Sequence, residues 1–346
     1  MNFPVIPPIE NVARAAAKQR QDSLTKPLGS LGRLENLSID LAGMTGQAVP
    51  DLPHKSVILM AADHGIVKEG VSPYPQEVTP QMVLNFLQQG AAINVLTRLA
   101  GSRVVIVDIG VNHDFQSVEG ILHKKIAWGT QNMLNGPAMT MEQAEASLRV
   151  GMEVADELID QGLQLVATGE MGIGNTTPSA AITSVLTGRL PVEVTGRGTG
   201  LDDAGLIRKV ALIERAIAVN KPDPNDPLDV LRKIGGLEIG GMAGVTIAAA
   251  ARRVPVVLDG LISTAAAAIA VGLVPEVENY LIAGHQSEEI GHRVLLDRLG
   301  LSPLLQLDMR VGEGTGAALA FQLVDASLAL LRDMATFGQA GVSQQS

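Results

Sequence analysis

The sequence predicts an α/β protein built on a doubly wound, mostly parallel six-stranded sheet. Three observations carry that prediction: short apolar, β-branched runs recur along the chain, each stops at Gly, Asp, Glu or His, and helical patterns separate them. Continuous rather than alternating apolar runs mark strands covered on both faces, as in parallel sheets. Strand–helix alternation with right-handed crossovers then gives an open, doubly wound arrangement.

In chain order the strand candidates are SVILMAADHG (56–65), RVVIVDIGVN (103–112), LQLVATGEMGIGN (163–175), VPVVLDGLIST (254–264), NYLIAGHQSEEIG (279–291) and LLQLDMRVGEG (304–314). The clearest amphipathic helix is DDAGLIRKVALIERAIAVN (202–220), where Leu206, Val210, Ile213 and Ile217 predict one buried stripe. Asp202 and Asp203 stand where an N-cap and a first-turn acid belong. GLISTAAAAIAVGLVP (260–275) is too short to span a bilayer and reads as a buried helix. Helical patterns at 10–23 and 315–334, with TKPLGSLGRLE between 25 and 35, lie outside the strand series and predict a smaller helical cap near the site. The last ten residues, FGQAGVSQQS, read as a frayed tail.

Composition narrows the function. With 346 residues, 46% apolar and 18% charged, the chain is long enough for a large core. A net charge of −10 argues against nucleic acid or an anionic membrane as partner. The absence of cysteine removes disulfides, thiolate nucleophiles and cysteine-bound zinc. The N-terminal stretch lacks the basic and apolar regions of a secretory signal, so a soluble cytoplasmic protein is expected. The six histidines show no metal-ligand spacing, and no metal or cofactor is expected.

In doubly wound sheets ligands bind beyond the carboxyl ends of the strands. Asp63, His64, Asp108, Glu170, Asp259, His285, Ser287 and Glu313 collect there in this sequence. TGEMGIGNTTPSAAI (168–182) runs from a strand through Gly169, Gly172 and Gly174 into a helix start at Asn175, Thr176 and Thr177. Free N–H groups with glycines nearby make an anion cradle, and the same pattern fits a tight turn with a Thr cap. GHQSEEIGHR (284–293) places Ser287 at another helix start. No Walker motif is present, and neither GRGTGLDDAG (196–205) nor GEGTGAA (312–318) sits where a dinucleotide loop requires. Glu313 lies between glycines before a helix that carries no charge until Asp325, where it can act as a helix-start acid, a partner for Arg310, or a base.

Several stretches together resemble the nicotinate-nucleotide:dimethylbenzimidazole phosphoribosyltransferase family. They are TKPLGSLGRLE, MAADHGIVKEGVSPYPQEVTPQMV, GEMGIGNTTPSAAI, GRGTGLDDAGL, EIGGMAGVTIAAAARRVPVVLDGLISTAAA, AGHQSEEIGH and MRVGEGTGAALA, in consistent order over about residues 20–335. The resemblance implies a Rossmann-like large domain over residues 36–310, a small helical domain from 1–35 and 311–346, and a homodimer. It implies transfer of 5-phosphoribosyl from nicotinate mononucleotide to 5,6-dimethylbenzimidazole, giving α-ribazole 5′-phosphate and nicotinate. Glu313 then takes the place of the catalytic base and Glu170 that of a second site carboxylate. Gly172, Gly174, Asn175, Thr176, Lys209 and Ser287 fall at the phosphate and ribose, and Tyr74, Gln81 and Met82 at the azole.

The chemistry asks for little. The leaving pyridinium departs neutral and needs no acid, whereas the azole must lose a proton from its second ring nitrogen. One base is enough, unlike the two carboxylates of glycoside hydrolysis. Two alternatives stand beside this reading: a nicotinamide-dependent oxidoreductase on the same sheet, and a binding protein that holds nucleotide or azole without turnover.

Overall fold

The computed structural model describes residues 1–343. Six strands, β1 (Lys55–Ala62), β2 (Arg103–Gly110), β3 (Ile121–His123), β4 (Leu165–Met171), β5 (Val256–Leu258) and β6 (Leu281–Ala283), form one sheet in the order β3-β2-β1-β4-β5-β6. Every pairing is parallel. The order reverses at β1, which puts a switch-point crevice between the carboxyl ends of β1 and β4. All eight residues of β1 and all seven of β4 are buried, the apolar runs 57–62 and 165–167 with the polar residues that flank them.

The six-strand count is reached differently from the sequence reading. The expected strand at 304–314 does not join this sheet. Only β8 (Leu305–Gln306) is strand there, and it pairs with β7 (His285–Gln286) in a separate two-stranded parallel ribbon. The sixth position belongs to β3, an edge strand of three residues with only Ile121 buried. It is too short for any apolar run to announce it.

Helix Leu237–Ala251 is buried along all but its last residue. It packs closely on helix Met141–Asp160 because Gly151 leaves room for the Gly241 carbonyl, which any Cβ would strike. Leu261–Leu273 is the expected buried helix, covered from Leu261 to Ala270. Helix Asp203–Asn220 starts on the predicted cap, with Asp202 Oδ1 accepting from the Gly205 amide at 2.7 Å. Its buried stripe differs from the predicted one: Gly205, Lys209, Ile213, Ala216 and Asn220 face inward, while Leu206, Val210 and Ile217 are half-buried. The helix is turned to bring Lys209 inside.

The two ends of the chain meet. Helices Asn11–Ser23, Arg33–Thr45 and Thr315–Asp333 share a small cluster of Ala17, Ala42 and Leu331, and Leu24 bridges Thr336. The expected boundary at residue 35 therefore falls inside a helix that packs as a unit. Thr315–Asp333 is long and apolar enough to cross a membrane, yet Ala317, Ala318, Phe321, Val324 and Leu328 bury one face in the main core. In the C-terminal stretch, Phe337–Ala340 forms a helical turn capped by Thr336, and residues 344–346 of the expected tail lie outside the described residues.

Candidate active site

A cavity of about 390 Å³ opens at the carboxyl ends of β4, β5 and β6, beside the switch point. Its walls come from the loop after β4, the 198–199 turn, the start of helix Leu261–Leu273, the 285–289 segment and the 310–313 loop. Tyr74, Val78 and Met82 close one side. A site of this size holds a small, flat ligand and part of a nucleotide.

Glu313 answers the question its sequence setting raised. It is buried, with φ +64°, the left-handed region that a non-glycine residue occupies only at a cost of about 1–2 kcal/mol. Arg310 makes no ion pair with it among the described residues. Nor does it cap the following helix, because that task falls to Asp259 at the end of β5. Asp259 Oδ2 accepts from the Gly314 amide at 3.1 Å, and Oδ1 accepts from Gly316 at 2.7 Å and Ala317 at 3.2 Å. On the other side of Glu313, its own amide donates to Glu170 Oε1 at 3.1 Å. Two strand-end carboxylates thus clamp the backbone around one strained residue. Gly169 lets β4 come under the loop, since a Cβ there would lie 2.6 Å from the Glu313 carbonyl.

The clamp leaves the Glu313 carboxyl without a counterion. Its Oε2 is buried with no hydrogen-bond partner among the described residues. Burial raises its pKa to about 7, the nearby Asp259 charge adds to the rise, and the Ile93 amide opposes it only in part. The helix dipole that could have favoured the ionised form is met by Asp259 instead. Glu170 is also pushed up to about 7, chiefly by burial. Bonds from the Glu313 amide and the Asn175 side chain pull the other way, and the charges of Asp259 and Glu238 add to the rise. Behind it His64 pairs with Glu238 at 2.7 Å; burial would depress that imidazole, but the Glu238 carboxylate wins and raises it.

A second wall of the cavity is built from three segments. Thr176 begins helix Thr176–Thr187, whose N-terminus lacks a side-chain cap. Lys209 does not line the cavity; it stands behind the wall, its Nζ donating to Thr176 Oγ1 at 2.8 Å and to the Gly196 carbonyl at 3.4 Å. Burial lowers Lys209 to about 8, with Glu289 opposing, so it is still mostly a cation at pH 7. Glu289 Oε1 accepts from the Gly198 amide at 2.8 Å and joins the 285–289 segment to the 196–199 turn. Ser287 is fixed by its amide donating to His292 Nδ1 at 2.9 Å. Burial holds His292 neutral, down at about 3, and its Nε2 lies 3.0 Å from Thr264 Oγ1. Among the described residues no cluster of three His, Cys, Asp or Glu side chains is arranged to hold a metal.

The cavity thus brings together a buried carboxylate without a counterion among the described residues and a helix start without a side-chain cap. A family model described as phosphoribosyltransferase matches residues 6–342. The chain belongs to the phosphoribosyltransferase family. A nicotinate-nucleotide–dimethylbenzimidazole phosphoribosyltransferase from Desulforudis audaxviator is 58% identical over 98% of this chain and 96% of its own length. One of the same name from Chloroflexus aggregans is 57% identical over 98% and 96%. The crystal structure of CobT from Thermus thermophilus superposes with a TM-score of 0.93 at 46% identity, covering 96% of this chain and all of that one. This phosphoribosyltransferase is therefore an enzyme that moves a phosphorylated pentose.

Of the residues named from sequence, Glu313, Glu170, Gly172, Asn175, Thr176, Ser287, Tyr74 and Met82 line the phosphoribosyltransferase cavity. Gln81 does not. Helix Val78–Leu87 turns Val78 and Met82, four residues apart, to the cavity, and Gln81 points to solvent. Gly174 does not line it either; at φ +89° it turns the loop beneath Val67, whose Cγ2 a Cβ would meet at 2.7 Å. Glu289, Thr199 and Arg310 line the cavity without having been named as site residues, and Asp259 supports it from below. Asp259 carried a signal as a strand-end acid. Glu289 carried none, because its role depends on a turn 91 residues away.

Proposed function

We propose that this phosphoribosyltransferase moves 5-phosphoribosyl from nicotinate mononucleotide to 5,6-dimethylbenzimidazole, with Glu313 as general base and inversion at the anomeric carbon. The azole nitrogen attacks C1′ from the face opposite the pyridinium. The C1′–pyridinium bond breaks, its electron pair returns to the pyridine nitrogen, and nicotinate leaves neutral at that atom. The second azole nitrogen gives its proton to the Glu313 carboxylate. The observation that supports this most is the unpartnered, buried Glu313 oxygen at the cavity wall, with a pKa near the working pH where a base is most effective.

Glu170 lies where its charge, or a contact to a ribose hydroxyl, would stabilise the oxocarbenium-like carbon. Thr176, Ser287 and the 172–176 backbone would take the phosphate, with Lys209 as the point charge behind them. The reading includes a homodimer in the cytoplasm, with exposed Tyr74 and Val311 at the cavity mouth giving apolar surface to cover. It places both chain ends in a small helical domain, extended to the end of helix Arg33–Thr45.

The test is nicotinate release from nicotinate mononucleotide with and without dimethylbenzimidazole. Release that requires the azole, with α-ribazole 5′-phosphate formed in equal amount, is expected. Binding without release would leave only a binding protein. Within this reading, Lys209→Ala raises the KM for the nucleotide about tenfold or more and that for the azole little, because a charge-assisted phosphate contact is lost. Equal losses for both substrates would remove the phosphate role.

A further inference from the structure

We infer that Arg310 binds the pyridine-ring carboxylate of the nucleotide donor and so makes the enzyme prefer an acid over an amide at that position, an inference that rests on the reaction proposed above. Glu170, Glu289 and Glu313 line the cavity, and Asp259 lies beneath the 313–317 loop. A donor carrying a further carboxylate enters a site that already repels it, unless a cation faces that group. Among the described lining residues Arg310 is the single Lys or Arg side chain. Lys209, the other cation close by, is behind the wall and committed to Thr176 Oγ1 and the Gly196 carbonyl.

Arg310 is also available. It is exposed and makes no hydrogen bond or ion pair among the described residues, although Glu313 stands three positions away in the chain. Its backbone is nonetheless held. β8 pairs with β7, the Glu288 amide donates to the Met309 carbonyl at 3.0 Å, and Gly312 sits directly over Glu170 Oε1, where a Cβ would collide. The guanidinium therefore extends from a fixed backbone, two residues before Gly312 over Glu170 and three before Glu313. A guanidinium fork matches a carboxylate with two parallel hydrogen bonds, whereas a neutral carboxamide receives no ionic gain from it. Selectivity then follows as a difference of affinities between two donors that are otherwise alike.

The experiment compares kcat/KM for nicotinate mononucleotide and nicotinamide mononucleotide, with azole saturating, in the full-length enzyme and in Arg310→Gln and Arg310→Lys. Inhibition by free nicotinate and nicotinamide reads the same contrast for a donor that turns over slowly. In Arg310→Gln the acid donor is expected to lose about 10–100-fold, while the amide donor stays within about threefold. Arg310→Lys, which keeps the charge but not the fork, should fall between. Because Arg310 is exposed and makes no bond among the described residues, thermal melting should match the parent in both variants. An equal loss for both donors would assign the guanidinium to the phosphate they share and overturn the inference, as would no change for either. Wild-type enzyme that releases pyridine base from neither nucleotide would instead overturn the reaction itself, and this assignment with it.

Discussion

Glu313→Gln lowers turnover by about 10²–10⁴, the usual range for losing a general base, and leaves the fold intact. The amide is isosteric with the carboxylate, and Oε2 has no partner whose bond would be broken. The backbone strain at φ +64° is the same for Gln, and the bonds that hold it come from Glu170 and Asp259. Stability should move opposite to activity. Glu313 has a folded pKa raised to about 7 from 4.5. Its contribution to stability is therefore fully present below about pH 4.5 and is lost as pH rises through 7. At pH 8 the wild type carries a buried charge that the variant lacks, so Glu313→Gln should be as stable as the wild type or more so, by on the order of 1–3 kcal/mol. Near pH 4.5 the difference should vanish. Steady-state kinetics and denaturant melts at the two pH values check both halves, and a variant with full turnover across pH would remove the base.

Asp259→Ala destabilises the enzyme by about 3–6 kcal/mol, because three buried amides lose their acceptor and each orphaned group costs about 1–3 kcal/mol with incomplete additivity. The amides of Gly314, Gly316 and Ala317 have no helical partner, and helix Thr315–Asp333 has no side-chain cap of its own. The clamp also holds Glu313 in its left-handed conformation, so kcat should fall more than the nucleotide KM rises. Asp259→Asn keeps the shape but turns an N–H toward an N–H, and should show a smaller version of both effects. Denaturant melts with kinetics on the same preparations check this. A purely structural Asp259 would lower the melting point of Asp259→Asn without changing kcat below it.

Much of this was legible in the sequence, for physical reasons. Strands buried on both faces declare themselves as continuous apolar runs, which is why β1, β4 and the second half of β2 stood out. The edge strand β3, with one buried residue, had no such pattern to show. The carboxyl-end site followed from where the runs stop, and Glu313 was conspicuous because a charge before ten uncharged residues of helix needs a reason. What the residue order could not give was partnership across the fold. Arg310 is near Glu313 in sequence and makes no pair among the described residues, whereas Asp259, 55 residues from Gly314, completes the cap. Lys209 came forward only through the family resemblance, and its burial came only from how that helix is rolled against Thr176. Gln81 failed for the converse reason: one residue along a helix is a rotation of about 100°, enough to move a side chain from cavity to solvent.

The most direct test of Glu313 as proton acceptor uses an acceptor whose second ring nitrogen carries a methyl group in place of hydrogen. Its free nitrogen can still attack C1′, but there is no proton to remove, and the product keeps a positive charge. If Glu313 serves as the base, wild type and Glu313→Gln should transfer ribosyl phosphate to this acceptor at rates within about threefold of each other, while differing by about 10²–10⁴ with dimethylbenzimidazole. A gap of the same size with both acceptors would contradict the account, because the carboxylate would then matter for something other than the proton.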